Sequence, residues 1–138
     1  MEGTKQKECK PHRSIIYACF GCLSNTGATA GLGSIEAVKE LGLDRVAGGC
    51  LPALPLGVHP AVEKAKTAKK IITVDGCPFE CSKKTVEAAG FKPTKSFMLV
   101  RDIGMKKTPL DKGDMMDYIS SEDVEETKRM LVKAVLEE

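Results

Sequence analysis

Cysteine is the residue type whose placement in this chain points most directly to chemistry. Six cysteines occur in 138 residues, and five of them come soon after short apolar runs. Thiolates bind zinc and iron–sulfur clusters and also act as redox nucleophiles, whereas an isolated cysteine is more often a small buried apolar side chain. The candidate site residues, which we treat as metal ligands, are Cys19, Cys22, Cys50, Cys77 and Cys81.

Two pairs of these cysteines have spacings that suit the binding of one metal ion. Cys19 and Cys22 form a C-x-x-C loop, in which Gly21 allows the turn. Cys77 and Cys81 are four residues apart, which on one helix places their Cβ atoms about 5–6 Å apart on the same face. Helix N-termini also favour thiolates, because their unpaired N–H groups lower the pKa of a nearby cysteine. The spacing therefore indicates chelation.

The residues around the cysteines predict alternating strands and helices. β-branched and aromatic runs predict strands at residues 14–18, 43–47, 71–75 and 96–101. The helices are predicted from apolar spacing and terminal signals: one with Leu32, Ile35, Val38 and Leu41 before Gly42, one from Pro60 with Ala61, Ala65 and Ala68 inward, one over Pro78–Ala89 before Gly90, and one opened by Ser120 and Asp123 with Val124, Leu131 and Val135 inward.

This alternation predicts an α/β fold of one domain. We expect a mostly parallel four-stranded sheet with helices on both faces, in a Rossmann-like three-layer arrangement. Since the carboxyl ends of parallel strands share one edge, the loops after the first three strands would bring five thiols to that edge. The prediction of a shared site depends on those strand assignments.

Charge and hydropathy limit the expected partners and location. The net charge of +2 predicts no nucleic-acid partner, and no apolar run reaches the roughly 20 residues of a membrane-spanning helix. The absence of a secretory signal predicts a cytoplasmic protein, where disulfides are rare. We divide the chain into a flexible basic N-terminal tail, residues 1–13, which includes Cys9, and a metal-binding α/β domain, residues 14–138.

The segment between the fourth strand and the last helix is long for a connection. It runs from Asp102 to Ile119 and contains Lys106, Lys107 and the pair Met115-Met116. Two interpretations stay open: a lid over the cysteine loops, or a surface loop held by a buried apolar side chain.

Several motifs, in the same order, resemble the DGC-domain family, whose members are described as zinc-binding proteins. The resemblance runs from about Ile15 to Met105 and continues more loosely into the final helix. It implies an α/β domain with four chelating cysteines, and it implies no particular reaction. The motifs that carry it are "YACFGCLSNTG", "GGCLPALPLG", "KKIITVDGCPFEC" (with Asp75-Gly76-Cys77), "EAAGFKP" and "VRDIGMKK".

The resemblance assigns three of the four cysteines and leaves one position open. Cys50, Cys77 and Cys81 match the pattern of the family. The first cysteine of the family precedes Ser-Asn as in C-S-G-x-S-N, whereas this chain has C-F-G-C-L-S-N, which is one residue longer. Cys19, Cys22 or both therefore remain candidates for the fourth ligand.

Three functions from different classes follow from these thiols. The first is a cysteine-ligated metal domain, most simply with Zn²⁺ as the partner. The second is an iron–sulfur protein, since four cysteines suit a cluster equally well. The third is a thiol redox or sulfur-transfer enzyme using Cys19-x-x-Cys22, which would leave the three later cysteines unexplained. The sequence decides neither whether a reaction is catalysed nor the oligomeric state.

Overall fold

The computed structural model describes residues 13–137. The strands of this part of the chain are β1 (Ser14–Ala18), β2 (Val46–Gly48), β3 (Ile71–Asp75) and β4 (Lys95–Met98). Its α-helices are α1 (Asn25–Leu41), α2 (His59–Thr67), α3 (Cys81–Ala88), α4 (Leu99–Asp102) and α5 (Ser121–Leu136), and 3-10 turns span Leu51–Ala53 and Met115–Tyr118. Within residues 13–137, none of the helices is both long and apolar enough to cross a membrane.

All four strands are parallel and lie in the order β2-β1-β3-β4. The register pairs Ile16 with Gly48 on one side of β1 and with Ile72 on the other, so the carboxyl ends of the strands are nearly level. The prediction of a mostly parallel α/β sheet is confirmed. The loops after β1, β2 and β3 consequently leave the sheet at the same edge, which is the edge that carries the cysteines.

Helices cover both faces of the sheet, and each face has its own apolar core. Ile16, Ile72 and Val74 point to the face covered by α1 and α5, where they pack with small and aliphatic side chains of those helices. Ile15 and Tyr17 point to the opposite face, where α2 and α3 contribute Ala65 and Val86. This is the alternation expected of strands buried on both faces.

Helix α1 packs through small residues and through only part of the aliphatic stripe expected from the sequence, namely Val38 and Leu41. Ala30 and Ala37 are fully buried, whereas Ile35 is 47% exposed. A Cβ atom on Gly33 would lie 2.5 Å from the Thr127 side chain of α5, so glycine at this position lets the two helices approach closely. The helix ends at Leu41 and Gly42 follows with φ of 84°, as the sequence predicts.

Three element boundaries differ from the prediction by three residues, and the others that differ do so by one. Strand β2 begins at Val46 rather than at residue 43, and Leu43 is exposed. Strand β4 ends at Met98, because Leu99 begins a single helical turn whose first residue is fully buried. Helix α3 begins at Cys81 instead of Pro78, since residues 77–80 form a turn in which Glu80 has a left-handed φ of 51°.

The proposed N-terminal tail lies almost wholly outside the described residues. This applies to residues 1–12 and therefore to Cys9. Arg13, the last residue of that predicted tail, donates from its guanidinium to the carbonyl of Leu43, and its own carbonyl accepts from the N–H of Lys69. Arg13 thus belongs to the folded domain.

Candidate metal centre

Each cysteine of the described chain lies in a loop, or at a helix start, beyond the carboxyl end of a strand. Cys19 directly follows β1, and its N–H donates to the carbonyl of Val74 in β3. Cys50 precedes the 3-10 turn after β2. Cys77 lies in the turn after β3, and Cys81 is the first residue of α3. The sheet therefore brings three loops that are far apart in sequence to one edge.

The Asp75 side chain connects the end of β3 to the start of α3. The two carboxylate oxygens of Asp75 accept hydrogen bonds from the N–H groups of Ser82 (2.6 Å) and Lys83 (3.1 Å). These groups are among the N–H donors that a helix leaves unpaired at its start, and a carboxylate there also suits the helix dipole. Asp75 thereby fixes Cys81, the first residue of α3, relative to the sheet.

Glycine at position 76 allows β3 and α1 to meet. A Cβ atom at this position would lie 2.3 Å from the backbone carbonyl carbon of Thr26 and 2.4 Å from the backbone nitrogen of Gly27. A Cβ atom on Gly27 would in turn lie 2.1 Å from the carbonyl oxygen of Gly21. These close backbone approaches bring the Cys19–Cys22 loop and the Cys77 turn together around the start of α1.

Three further acidic groups lie close enough to the Cys19 thiol to affect its pKa. Burial raises the pKa of Cys19, a hydrogen bond with the Gly21 backbone lowers it, and the negative charges of Asp75, Cys81 and Cys77 raise it further. The Cys19 sulfur also lies 3.3 Å from the position that a Cβ atom of Gly21 would occupy. Of the predicted ligands, Cys19, Cys77 and Cys81 thus form one electrostatic neighbourhood.

Cys50 lies on the other side of β1, beside Tyr17. The pKa of Tyr17 is raised to about 12, mainly because the phenol is buried and additionally because of the charge of Cys50. The aromatic ring of Tyr17 covers Gly49, where a Cβ atom would lie 2.2 Å from the ring. Tyr17, an aromatic residue that sequence reasoning did not assign to the site, thus packs against the residue that precedes Cys50.

The five thiols share an edge without forming a closed metal site. Cys22, Cys50 and Cys81 are exposed, while Cys19 and Cys77 are half-buried. Within residues 13–137, no three Cys, His, Asp or Glu side chains converge in an arrangement that holds a metal ion. The chemistry of the donors fits a thiophilic metal, since all five are free thiols.

Asn25 attaches the long segment after β4 to the first cysteine loop. Its amide nitrogen donates to the carbonyl of Lys106 (2.9 Å), and its amide oxygen accepts from the N–H of Thr108 (2.7 Å). The Asn25 N–H donates to the Thr108 carbonyl, and the Leu110 N–H donates to the Leu23 carbonyl.

The same segment also contacts the turn that carries Cys77. The ammonium group of Lys107 lies 4.9 Å from the centroid of the Phe79 ring, within the range of a cation–π interaction. Met105, which is buried, anchors the segment to the core, whereas Met115 and Met116 are exposed. Residues 105–110 thus bridge two cysteine loops. The buried Met105 agrees with the interpretation of a surface loop held by a buried apolar side chain.

The arrangement of thiol loops on a parallel sheet can be compared with known proteins. The family model described as "DGC domain" matches residues 15–131. The chain belongs to the DGC domain family. No curated protein and no solved structure matches the chain.

The matched region of the DGC domain contains all five described thiols and the groups that hold their loops. Asp75, Gly76 and Cys77, the three residues of the motif, have distinct positions in this structure. The first caps α3, the second allows contact with α1 and the third enters the turn before α3. The motif is thus a structural connection as well as a source of one thiol.

Proposed function

We propose that this DGC domain binds a zinc ion through cysteine thiolates of the loops that follow β1, β2 and β3. The observation that carries the proposal is that the parallel sheet brings the loops of Cys19, Cys50 and Cys77 to one edge. There the pKa of Cys19 is raised mainly by burial and additionally by the charges of Asp75, Cys81 and Cys77. A divalent cation among these groups would relieve their mutual repulsion and favour deprotonated thiols.

The fourth ligand in this proposal is Cys50, and Cys22 is the alternative. Both thiols are exposed, and both belong to loops that are free of regular helix or strand structure at the cysteine itself. Ligation requires their side chains to turn towards Cys19, Cys77 and Cys81. The family resemblance favours Cys50, while the C-x-x-C spacing favours Cys22.

A zinc ion held by four thiolates would serve this domain as a structural cross-link between loops. Such a site has no open coordination position for a catalytic water molecule. Asp75 and Gly76 would position the Cys77 and Cys81 loop, and Asn25 would hold the neighbouring segment against the Cys22 loop. We further propose a cytoplasmic location, where the thiols stay reduced and available, and no nucleic-acid partner.

Metal analysis of freshly purified full-length protein, handled without oxygen, tests the proposal. We expect about one zinc ion per chain, as a single-site protein requires. Stoichiometric iron and sulfide, together with a brown colour, would show that the protein holds an iron–sulfur cluster instead of zinc. Absence of any metal, together with a thiol of low pKa at Cys19 or Cys22, would instead favour a thiol redox enzyme.

Serine substitutions identify the thiols involved. We expect Cys77→Ser and Cys50→Ser to lower the zinc content strongly, because each removes one ligand of a four-ligand site. Cys9→Ser is the matched control and should leave the zinc content unchanged, since Cys9 precedes every strand–loop–helix unit of the sequence. Loss of the metal in Cys9→Ser alone would contradict a single site made by these loops.

A further inference from the structure

A cavity of about 270 Å³ lies on the side of the sheet that α2 covers, between β1, β2 and that helix. Its wall is mostly apolar, and alanine and glycine make up much of it. Gly49 and Pro60 also contribute to it. The apolar side chains of the wall are Ile15, Tyr17, Ala47, Ala53, Val58 and Ala61.

The polar groups of this cavity are few, and one charge is present. Lys64 is the charged residue of the lining, and no carboxylate belongs to it. The neighbouring Lys66 pairs with Glu63 at 3.6 Å, so that carboxylate is already engaged elsewhere on α2. Cys50 and the buried Tyr17 supply a thiol and a phenol.

We propose that this cavity binds a small apolar carboxylate, with the hydrocarbon part against the alanine-lined wall and the carboxylate at Lys64. An apolar cavity with a small number of placed polar groups is the usual form of a ligand site. The cavity adjoins the proposed metal centre, because Cys50 belongs to both, but the proposed ligand contacts are made by the alanine-lined wall and Lys64.

The volume limits the size of the ligand. At roughly 30 Å³ for each water molecule, the cavity volume of about 270 Å³ corresponds to about nine water molecules, which is room for a ligand with one small apolar group. A phenyl ring or a branched chain of similar size, joined to a carboxylate by one methylene group, satisfies this limit. Larger ligands would extend past Cys50 into solvent, because Cys50 is exposed.

The single charge of the lining decides between ligand classes. An anionic end group gains an ion pair with the Lys64 ammonium, whereas a cationic end group meets a like charge. A neutral isostere keeps the apolar contacts and lacks the ion pair. Phenylacetate, phenylacetamide and phenethylammonium therefore form a matched set of probes with nearly the same apolar part.

The experiment is a titration of full-length protein with each probe, followed through the alanine methyl signals in NMR. We expect phenylacetate to shift the Ala47, Ala53 and Ala61 methyl signals with a Kd on the order of a millimolar. Phenylacetamide should bind about two- to fivefold more weakly, and phenethylammonium more weakly still. Equal binding of all three probes, or no binding of phenylacetate, would overturn the proposal.

Substitutions then separate the cavity from non-specific binding. Lys64→Met should reduce phenylacetate affinity to that of phenylacetamide, while Lys66→Met, on the same helix but outside the lining, should not change it. Ala47→Val and Ala61→Leu fill the cavity from the strand and from the helix, and either should abolish the shifts. Their far-ultraviolet spectra report whether they fold, and unchanged phenylacetate binding in a folded cavity-filling variant would overturn the assignment.

Discussion

Asp75 is a buried side chain that caps the start of α3 and also raises the pKa of the Cys19 thiol, for which burial is the larger cause. It is 1% exposed, and burial raises the pKa of its carboxyl group in spite of the hydrogen bonds from Ser82 and Lys83, which lower it. A raised pKa means that the carboxyl group binds a proton more tightly in the folded protein than in the unfolded chain. The stability contributed by this shift is therefore present below the ordinary carboxyl pKa and lost as the pH rises through the folded value.

The two roles of Asp75 predict different effects of alanine and asparagine at this position. Asp75→Ala removes both acceptors and leaves two helix-start N–H groups unpaired, so we expect it to lower the free energy of unfolding by about 1–2 kcal/mol at pH 7. Asp75→Asn retains one acceptor and removes a buried charge, so its loss should be smaller. Urea unfolding of both variants measures this, and an asparagine variant less stable than the alanine variant would contradict the explanation.

At the scale of elements, the loops of the cysteine edge are held by side chains from outside those loops. The segment 105–110 pairs with residues 23–25 through backbone hydrogen bonds and the two bonds of the Asn25 amide. An isolated bridge between Ser24 and Pro109 joins the same two stretches. The long connection is thus anchored at its middle, next to the site.

This anchoring predicts a local effect of substitution at Asn25. Asn25→Ala removes two hydrogen bonds, each worth about 1 kcal/mol, and we expect the protection of the Leu110 amide against hydrogen exchange to fall about tenfold. Asn25→Asp is the matched variant, since it keeps the acceptor for the Thr108 N–H and should retain more of the protection. Unchanged exchange at Leu110 in Asn25→Ala would mean that the backbone pairing alone holds the segment.

For the whole molecule, two cores on opposite faces of the sheet support the fold, and most of their residues lie outside the cysteine loops. One contains Ile72, Leu99 and Leu131, and the other contains Ile15, Tyr17 and Val86. The loops of the edge have little regular structure to order them, particularly residues 49–58 after β2. If zinc joins these loops, its binding free energy adds to the stability of the folded chain.

We therefore expect chelation of the metal to destabilise the protein without unfolding it. Removing a ligand present at about 100 times its Kd costs about 2.7 kcal/mol, which corresponds to a decrease in Tm on the order of 10 °C for a domain of this size. Helical circular dichroism should persist at 25 °C, while residues 49–58 become sensitive to protease. Complete unfolding would show that the two cores are insufficient, and an unchanged Tm and digestion pattern would assign the metal no structural role.

The sequence by itself determined the elements whose signals are local. The apolar run Ile71–Asp75 and the glycine after α1 predicted a strand and a helix end that the structure confirms. The side chain of Ser120 caps α5 by accepting from Glu122 and Asp123 N–H groups, as its position before an apolar periodic segment indicated. Strand alternation, caps and cysteine spacing depend only on residues that are close together in the sequence, so the sequence is enough to predict them.

The tertiary structure decided what depends on residues distant in sequence. Helix α3 begins at Cys81 and not at Pro78 because Asp75 binds its N–H groups seven and eight residues later. The amide of Asn25 finds its partner 83 residues away, at Thr108. Cys50 lies beside Tyr17 because β2 pairs in parallel with β1. Apolar periodicity does not encode these contacts, since they exist only once the sheet has brought the loops to one edge.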